Sequence, residues 1–422
     1  MSIITAKRTF TKINPEDKET QTYILPFISD NCKITDTRNL KAFKDQAFGG
    51  YNLTQAGNAL EKSILEDKIE PALHWCLQLF FSGIVGNLWS KLITIATKNI
   101  NIYNPKLPEF IYNKSEQWNK IVDNPKFAKD NVLLLRNHPS VRLLLAEMVA
   151  TLVLSKKHKI PTLPKIKKED FLLEKFRARL ETNNNNLVKG IEKDEDPSEI
   201  RIAINEMAYH IYAKNLNKAV YWLNWVLEWE KINSKKYGKY ECATRVVDGI
   251  DSKYNKDVIW LIWSVVHKMR QLMITPGMGQ WELQIDALWK LYKYKFTPAA
   301  RAKKLNFLIW TIMYLTETVD YAIPLIDRPE ILFQSMLGFD KVAASLKSQQ
   351  VVSAVNPDIM NVVVENNYMM PERYKEMEEE ARRKKITQLM IDREKLAKQK
   401  KINVNSMDKL EQVSKMDKYL FS

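Results

Sequence analysis

The most constraining feature of this chain of 422 residues is an internal repeat of a helical pattern. Residues 56–79 and 203–226 align without gaps, and their apolar positions recur at the spacing of a helix face. Farther along, Val141–Leu154 resembles Leu305–Tyr314, and an Ile-Pro pair follows each stretch. The blocks keep the same order in both halves, which predicts a tandem duplication of one helical unit. The coinciding pairs include Ala56 with Ala203, Leu60 with Met207, Ile64 with Ile211, Ala72 with Ala219, Leu73 with Val220, and Trp75 with Trp222.

The amino-acid composition also favours helices. The chain has only 11 glycines, well below the usual share of about 7 per cent, and β-rich or Rossmann-like folds use glycine in turns and phosphate loops. We therefore expect an all-α protein. Trp75 and Trp222 each lie one turn inside a helix, and we expect both to be core anchors that pack on the preceding helix.

Shifts in composition divide the chain into five segments. Helical spacing begins near Tyr51, and a stretch rich in Lys, Pro and Asn separates the two repeated blocks. The last part of the chain is dominated by Glu, Lys and Arg at uneven helical spacing. We predict an N-terminal arm (1–50), helical unit 1 (51–160), a basic low-complexity linker (161–199), helical unit 2 (200–350) and a charged helical tail (351–422).

The first unit resembles a known family, the helical C-terminal domain of the RarA/Werner-helicase-interacting AAA+ ATPases, which are relatives of clamp loaders. The resemblance is carried by Ala59–Ile64, Ala72–Trp75, Leu92–Ile100 with Asn104-Pro105, and the later piece Leu144–Lys156. It covers about residues 51–160, and the second unit matches only through the repeat. The resemblance implies a collar-like helical fold that mediates assembly around DNA. A free-standing duplicated copy in a chain rich in Lys, Asn and Ile is also similar to proteins of large DNA viruses.

The chain departs from that family where ATP would bind. Family members carry an ATPase ahead of the helical domain, but this sequence has no G-x-x-x-x-G-K-[ST] loop, whose backbone amides and Lys would hold phosphates. The Gly-Lys pair at Gly238-Lys239 has Asn233 where the first glycine belongs and is followed by Tyr240. The resemblance therefore implies the fold and an assembly role without nucleotide binding.

Catalytic and metal-binding patterns are missing from the sequence. The five histidines form no H-E-x-x-H and do not pair with cysteine at metal-ligand spacing, and no G-x-S-x-G occurs. Three distant cysteines, Cys32, Cys76 and Cys242, do not suggest a disulfide framework. We expect no metal, no cofactor and no enzymatic activity.

A net charge of +15 suggests a polyanionic partner, DNA or RNA, because Lys and Arg release counterions when they neutralise phosphates. A Lys- and Asn-rich composition is an alternative cause of the same charge. Aromatic rings between lysines can stack on bases, but a helix with solvated lysines is the alternative there as well. The nucleic-acid-binding candidates are Lys156, Lys157, Lys159, Lys165, Lys167, Lys168, Lys290, Tyr292, Lys293, Tyr294, Lys295, Arg382, Arg383, Lys384 and Lys385.

The N-terminal arm contains a sequence similar to a sliding-clamp-binding peptide, Q-x-x-[ILM]-x-x followed by two aromatic residues. Gln21, Ile24 and Phe27 fit this pattern, whereas Ile28 replaces the second aromatic and Pro26 is unusual. In such a peptide the apolar side chains enter a pocket of the clamp and the Gln bonds at its rim. An arm that packs on its own domain is the alternative.

These observations predict a non-enzymatic scaffold or assembly protein that acts in viral DNA replication, packaging or virion assembly. The alternatives are a nucleic-acid-binding module that uses the basic linker and tail, and a minor subunit of a protein shell. We expect protein partners, including a homo-oligomer or larger assembly. The N-terminus lacks a signal-peptide pattern and the apolar runs are too short to span a membrane, so we expect an intracellular protein of the cytoplasm, nucleus, viral factory or virion that is not secreted.

Overall fold

A computed structural model of the chain describes residues 8–13, 20–25, 28, 30–183, 187–238, 241–275 and 277–352. Helices dominate these residues, which confirms the predicted all-α class. From residue 353 onward, the charged tail lies outside the described residues. Within the described part, the α-helices are α1 Leu53–Leu65, α2 Ile69–Phe81, α3 Val85–Asn99, α4 Leu107–Val122, α5 Pro139–Leu154, α6 Leu173–Arg177, α7 Ser198–Tyr212, α8 Leu216–Tyr237, α9 Val258–Met273, α10 Gly279–Lys293, α11 Arg301–Thr316 and α12 Pro329–Leu346.

The N-terminal region adds a feature that the sequence analysis did not predict. Strands β1 (Arg8–Ile13) and β2 (Thr20–Leu25) form an antiparallel hairpin in which Arg8 lies opposite Leu25 and Ile13 opposite Thr20. The residues alternate only weakly between apolar and polar, which explains why the sequence pattern gave no strand signal.

Two sets of five helices are packed in the same way. We call α1–α5 the first helical group and α7–α11 the second helical group. In the first, α1, α2, α3 and α5 contact one another and α4 packs on α5; in the second, α7, α8, α9 and α11 contact one another and α10 packs on α11. Each helix pair that packs in one group thus has a counterpart in the other.

The turns that end the first helix of each group have the same hydrogen bonds. After α1, the amide of Asp67 donates to the Ile64 carbonyl and that of Lys68 to Ser63. After α7, Lys214 donates to Ile211 and Asn215 to His210, at the same offset as the aligned repeat. Both turns are Schellman motifs, which satisfy the last carbonyls of a helix.

Most of the aligned apolar pairs are buried in both groups. Ala56, Leu60, Ile64 and Ala72 are fully buried, as are their counterparts Ala203, Met207, Ile211 and Ala219. The tryptophan pair differs from the expectation: Trp222 is buried and lies against Phe176, but Trp75 is only half-buried at an edge. Trp75 packs edge-on against Tyr51, with ring centroids 5.0 Å apart, and is not a full core anchor.

The two groups are joined by direct helix packing. Helix α4 packs on α10, and α11 contacts α3. Helix α12 lies within residues 200–350, the predicted second unit, but its main helix contacts are with α2 and α5 of the first group. The described residues up to Val352 accordingly form one compact unit.

A network centred on Arg142 attaches two segments to the first helical group, namely the chain before α1 and the chain from α12 onward. The buried Arg142 guanidinium donates to the carbonyls of Cys32 and Arg136, at 2.8 and 2.7 Å, and lies 3.5 Å from the Asp340 carboxylate of α12. Nearby, Thr37 and Val351 are joined through the Thr37 amide and the Val351 carbonyl, 3.0 Å apart. The part of the predicted arm from residue 30 onward is therefore built into the body.

Residues 161–199, predicted as a linker, include buried side chains that pack on the second helical group. Phe176 and Val188 are buried, and the Phe176 ring packs on Trp225 of α8 with centroids 5.0 Å apart. Asp196 is buried in an ion pair with Arg245, and its carboxylate also accepts the amides of Lys193 and Ala243. Composition hid this packing because the few apolar residues are widely spaced among charged ones.

Candidate functional site

The basic stretch from Lys156 to Lys168 runs along both helical groups on a fixed path. Its His158 amide donates to the Asn99 carbonyl at 2.7 Å and its Ile160 amide to Lys98 at 2.8 Å, at the end of α3. Farther on, Asn224 of α8 donates to the Pro164 carbonyl at 2.8 Å. The stretch therefore connects the end of α3 to α8.

Four lysines of this stretch, Lys159, Lys165, Lys167 and Lys168, are exposed. Among the described residues, none of the four ammonium groups lies in an ion pair. Lys156 is also exposed and lies over the Tyr103 ring at 5.1 Å, whereas Lys157 is half-buried and pairs with Asp67 at 2.6 Å. Exposed cations without acidic partners are the groups that a polyanion can neutralise.

The second basic candidate, residues 290–295, is mostly engaged within the protein. Lys295 forms an ion pair with Asp123 at 2.9 Å, and the Tyr294 hydroxyl donates to the same carboxylate at 2.9 Å. Hydrogen bonding from Lys295 lowers the pKa of Asp123. Lys293 donates to the Asp248 carbonyl at 3.0 Å, and Lys290 lies over the Tyr112 ring at 4.9 Å.

Tyr292 does not fit the predicted base-stacking role. Its side chain is fully buried, and its ring packs against Trp260 and Trp263 with centroids 6.0 and 5.1 Å away. A buried ring cannot stack on a base, so this prediction is corrected: Tyr292 is a core residue. Tyr292 lies on the buried face of α10, whereas Tyr294 and Lys295 follow the end of the helix and are exposed.

The remaining sequence candidates lie in or beyond the N- and C-terminal segments. Gln21 and Ile24 belong to β2, opposite Lys12 and Thr9 of β1, and Phe27 lies outside the described residues. The basic cluster Arg382, Arg383, Lys384 and Lys385 is also outside them. The clamp-peptide and tail hypotheses stay predictions.

A groove that the sequence analysis missed opens at one end of the second helical group. Its volume is about 590 Å³, and we call it the second-group groove. Two of its apolar side chains are strongly exposed, Tyr212 at 59 per cent and Leu272 at 53 per cent. The main groove residues are Tyr212, Lys214, Leu272, Met273, Met278, Trp281, Glu317, Val319 and Tyr321. Exposed apolar side chains around a concavity are typical of binding surfaces.

A second cavity, of about 650 Å³, lies beside α8 and the start of α11. Arg301 spans its wall and pairs with Glu230 and with Asp257, the latter at 2.7 Å. Of the lysines at the rim, Lys231 pairs with Glu228 and Lys256 with Glu241. This internal pairing of charges gives the cavity a structural explanation.

Buried titratable groups elsewhere also have structural partners. Glu206 accepts the amides of Glu181 and Thr182, and its carboxylate lies 3.5 Å from His210. Among the described residues the three cysteines are buried and form no disulfide with one another, and burial raises the pKa of Cys242 to about 12. Within the described ranges, no group of three His, Cys, Asp or Glu side chains is placed to hold a metal ion, and no helix is long and apolar enough to cross a membrane.

Comparisons with protein-family models, curated proteins and solved structures give no significant match.

Proposed function

We propose that this protein is a non-enzymatic helical scaffold that acts through protein–protein assembly in viral DNA replication, packaging or virion assembly. The observation that carries the proposal is the open second-group groove, with its exposed Tyr212 and Leu272, on a compact body of two similarly packed helical groups. Apolar surface of this kind is costly in water and is covered when a protein partner binds.

The similar packing supports a duplicated unit as the ancestor of this body. The buried pairs of the repeat and the matching Schellman turns at Asp67 and Lys214 both follow the alignment of the sequence. The resemblance to the helical domain of clamp-loader-like ATPases supplies the link to DNA transactions.

Sedimentation velocity of the nuclease-treated full chain over a range of concentrations tests the proposal. We expect a concentration-dependent oligomer or larger assembly in the absence of nucleic acid. A monomer at all concentrations, together with tight salt-dependent DNA binding, would contradict the scaffold role.

That outcome would favour the alternative, a nucleic-acid-binding module. The observation behind it is the set of exposed lysines without ion-pair partners, Lys159, Lys165, Lys167 and Lys168, which lie on a fixed backbone path.

A further inference from the structure

In the first helical group, a segment of the chain itself fills the place that corresponds to the second-group groove. After α5 ends at Leu154, the chain turns back across the end of α3. There the carbonyls of Asn99 and Lys98 accept the amides of His158 and Ile160. Lys157 bonds to Asp67 at the end of α1, with Nζ and Oδ1 2.6 Å apart. An extended segment thus covers the ends of α1, α3 and α5.

In the second helical group the equivalent helix ends are open. After α11, Thr318, Val319 and Tyr321 line the groove, but no backbone amide of residues 318–321 donates to the last carbonyls of α9. Among the described residues, the carbonyls of Leu272 and Met273, which correspond to those of Lys98 and Asn99, accept no amide. The Tyr321 hydroxyl is buried at the same place and has no hydrogen-bond partner in the described part of the chain. Open carbonyls, an unpaired hydroxyl and exposed apolar side chains are all groups that a bound segment would satisfy.

The charge at the turn is reversed between the two groups. Lys214 stands in the second group where Asp67 stands in the first, in the same Schellman motif. A segment that covered the second group in the manner of residues 157–160 would therefore place an acidic side chain opposite Lys214. The residue after the acid would donate to Met273, and an apolar residue three positions after the acid would donate to Leu272.

We propose that the second-group groove binds an extended segment of a partner protein, in which an acidic residue is followed three positions later by an aliphatic residue. The inference rests on the proposed function, since it names the kind of partner that a scaffold would hold. Extended peptides bind in this way through main-chain hydrogen bonds, and pockets for individual side chains give them specificity.

The protein's own first-group segment supplies the probe. A fluorescein-labelled peptide with the sequence of residues 155–164 and the change Lys157→Glu is titrated with the full chain, and fluorescence anisotropy is measured. We expect saturable binding, with the unaltered peptide binding about tenfold more weakly because its Lys would face Lys214. The Lys214→Glu variant should reverse this preference.

Two further variants make the test specific to the groove. Leu272→Glu, a change at an exposed residue, should abolish binding of both peptides, whereas Lys303→Glu, which has the same charge change at an exposed position of α11, should leave the preference unchanged. Circular dichroism confirms that each variant is folded. Absence of saturable binding, or a preference that survives Lys214→Glu, would overturn the proposal.

Sedimentation of the same samples separates this proposal from the scaffold proposal. If the protein binds the peptide but stays monomeric, the groove proposal is supported and the self-assembly proposal is contradicted. If the protein assembles but binds no peptide, the self-assembly proposal is supported and the groove proposal is contradicted. If Leu272→Glu abolishes self-assembly and neither peptide binds, the occupant is a second copy of this chain, and the partner-segment proposal fails.

Discussion

Asp67 and Lys214 occupy the same position in the same helix-ending turn of the two helical groups, with φ angles of 58° and 54°. This left-handed conformation is one that glycine adopts most easily and that other residues adopt at a cost. The two residues differ in charge, and they differ in surroundings because Asp67 forms an ion pair with Lys157. The pair therefore offers a matched comparison of backbone strain.

Replacing Lys214 with Gly should stabilise the protein. The change removes the strain of the left-handed backbone conformation, but the higher entropy of glycine in the unfolded chain offsets part of this stabilisation. The free energy of unfolding should therefore rise by about 0.5 kcal/mol. Asp67→Gly should be neutral or slightly destabilising because it also removes the ion pair with Lys157. Urea denaturation of both variants measures the difference, and a loss of stability in Lys214→Gly would contradict the proposed strain.

The buried ion pair of Asp196 and Arg245 should be essential for stability. Their side chains are 0 and 8 per cent exposed. Burial alone would raise the pKa of Asp196, but hydrogen bonds from Arg245 and two backbone amides outweigh it and lower the pKa. Asp196→Ala leaves a buried guanidinium unpaired, and we expect a loss of about 3 to 5 kcal/mol in the free energy of unfolding.

The exposed ion pair of Asp251 and Lys253 is the control, and Asp251→Ala should lower the free energy of unfolding far less than Asp196→Ala, because solvent screens an exposed pair. Because the pKa of Asp196 is lowered on folding, its contribution is present at neutral pH and is lost as the pH falls through the acid range. The Asp196→Ala variant should therefore lose stability less steeply in acid than the wild type. Equal slopes in denaturation series at successive pH values would count against a lowered pKa.

His267 should make the protein sensitive to mild acid. Burial beside Trp263 and Trp289 lowers its pKa to about 4 from 6.5; Arg270 and Lys293 add to the shift and Asp286 opposes it. Between these pH values the unfolded chain binds a proton that the folded chain does not, so stability falls as the pH drops from 6.5 to 4. The loss should total about 3 kcal/mol.

The substitution His267→Phe keeps an aromatic ring at this position and removes the titrating group. Its free energy of unfolding should change less than that of the wild type between pH 6.5 and 4, whatever its absolute stability. Thermal or urea denaturation at several pH values in this range measures the difference. Parallel pH profiles for the two proteins would show that His267 does not titrate in this way.

The helical class and the aligned core positions could be predicted because they depend on local spacing. Ala56, Leu60 and Ile64 repeat as Ala203, Met207 and Ile211, and burial of one face follows from that period. The half-burial of Trp75 could not be predicted, because it depends on which other parts of the chain cover its face of α2. Likewise, the sequence of α10 does not show that Tyr292 packs against Trp260 of a different helix.

The second-group groove depends on tertiary structure in the same sense, although one signal was present in the sequence. The gap-free alignment places Lys214 opposite Asp67, and the reversal of charge marks a position where the two groups differ. The alignment does not show that residues 157–160 cover the end of α3, because that contact joins segments far apart in the chain. Only the packed structure shows that the equivalent surface of the second group is open.

The exposed lysines at 165, 167 and 168 provide the decisive comparison for nucleic-acid binding. If the protein binds DNA through this stretch, replacing all three with Gln should lower the slope of log affinity against log salt by about 2 to 3, because each lost phosphate contact contributes about 0.7 to 0.9. The measurement is a titration of the full chain against fluorescent single- and double-stranded DNA at several salt concentrations.

The control variant has Gln in place of Lys290, Lys293 and Lys295, which removes the same charge. It should change the slope little, because Lys293 and Lys295 are engaged by Asp248 and Asp123 and Lys290 lies over Tyr112. Equal losses in the two variants would show that only total charge matters, and no binding by the wild type near physiological salt would assign the +15 charge to composition.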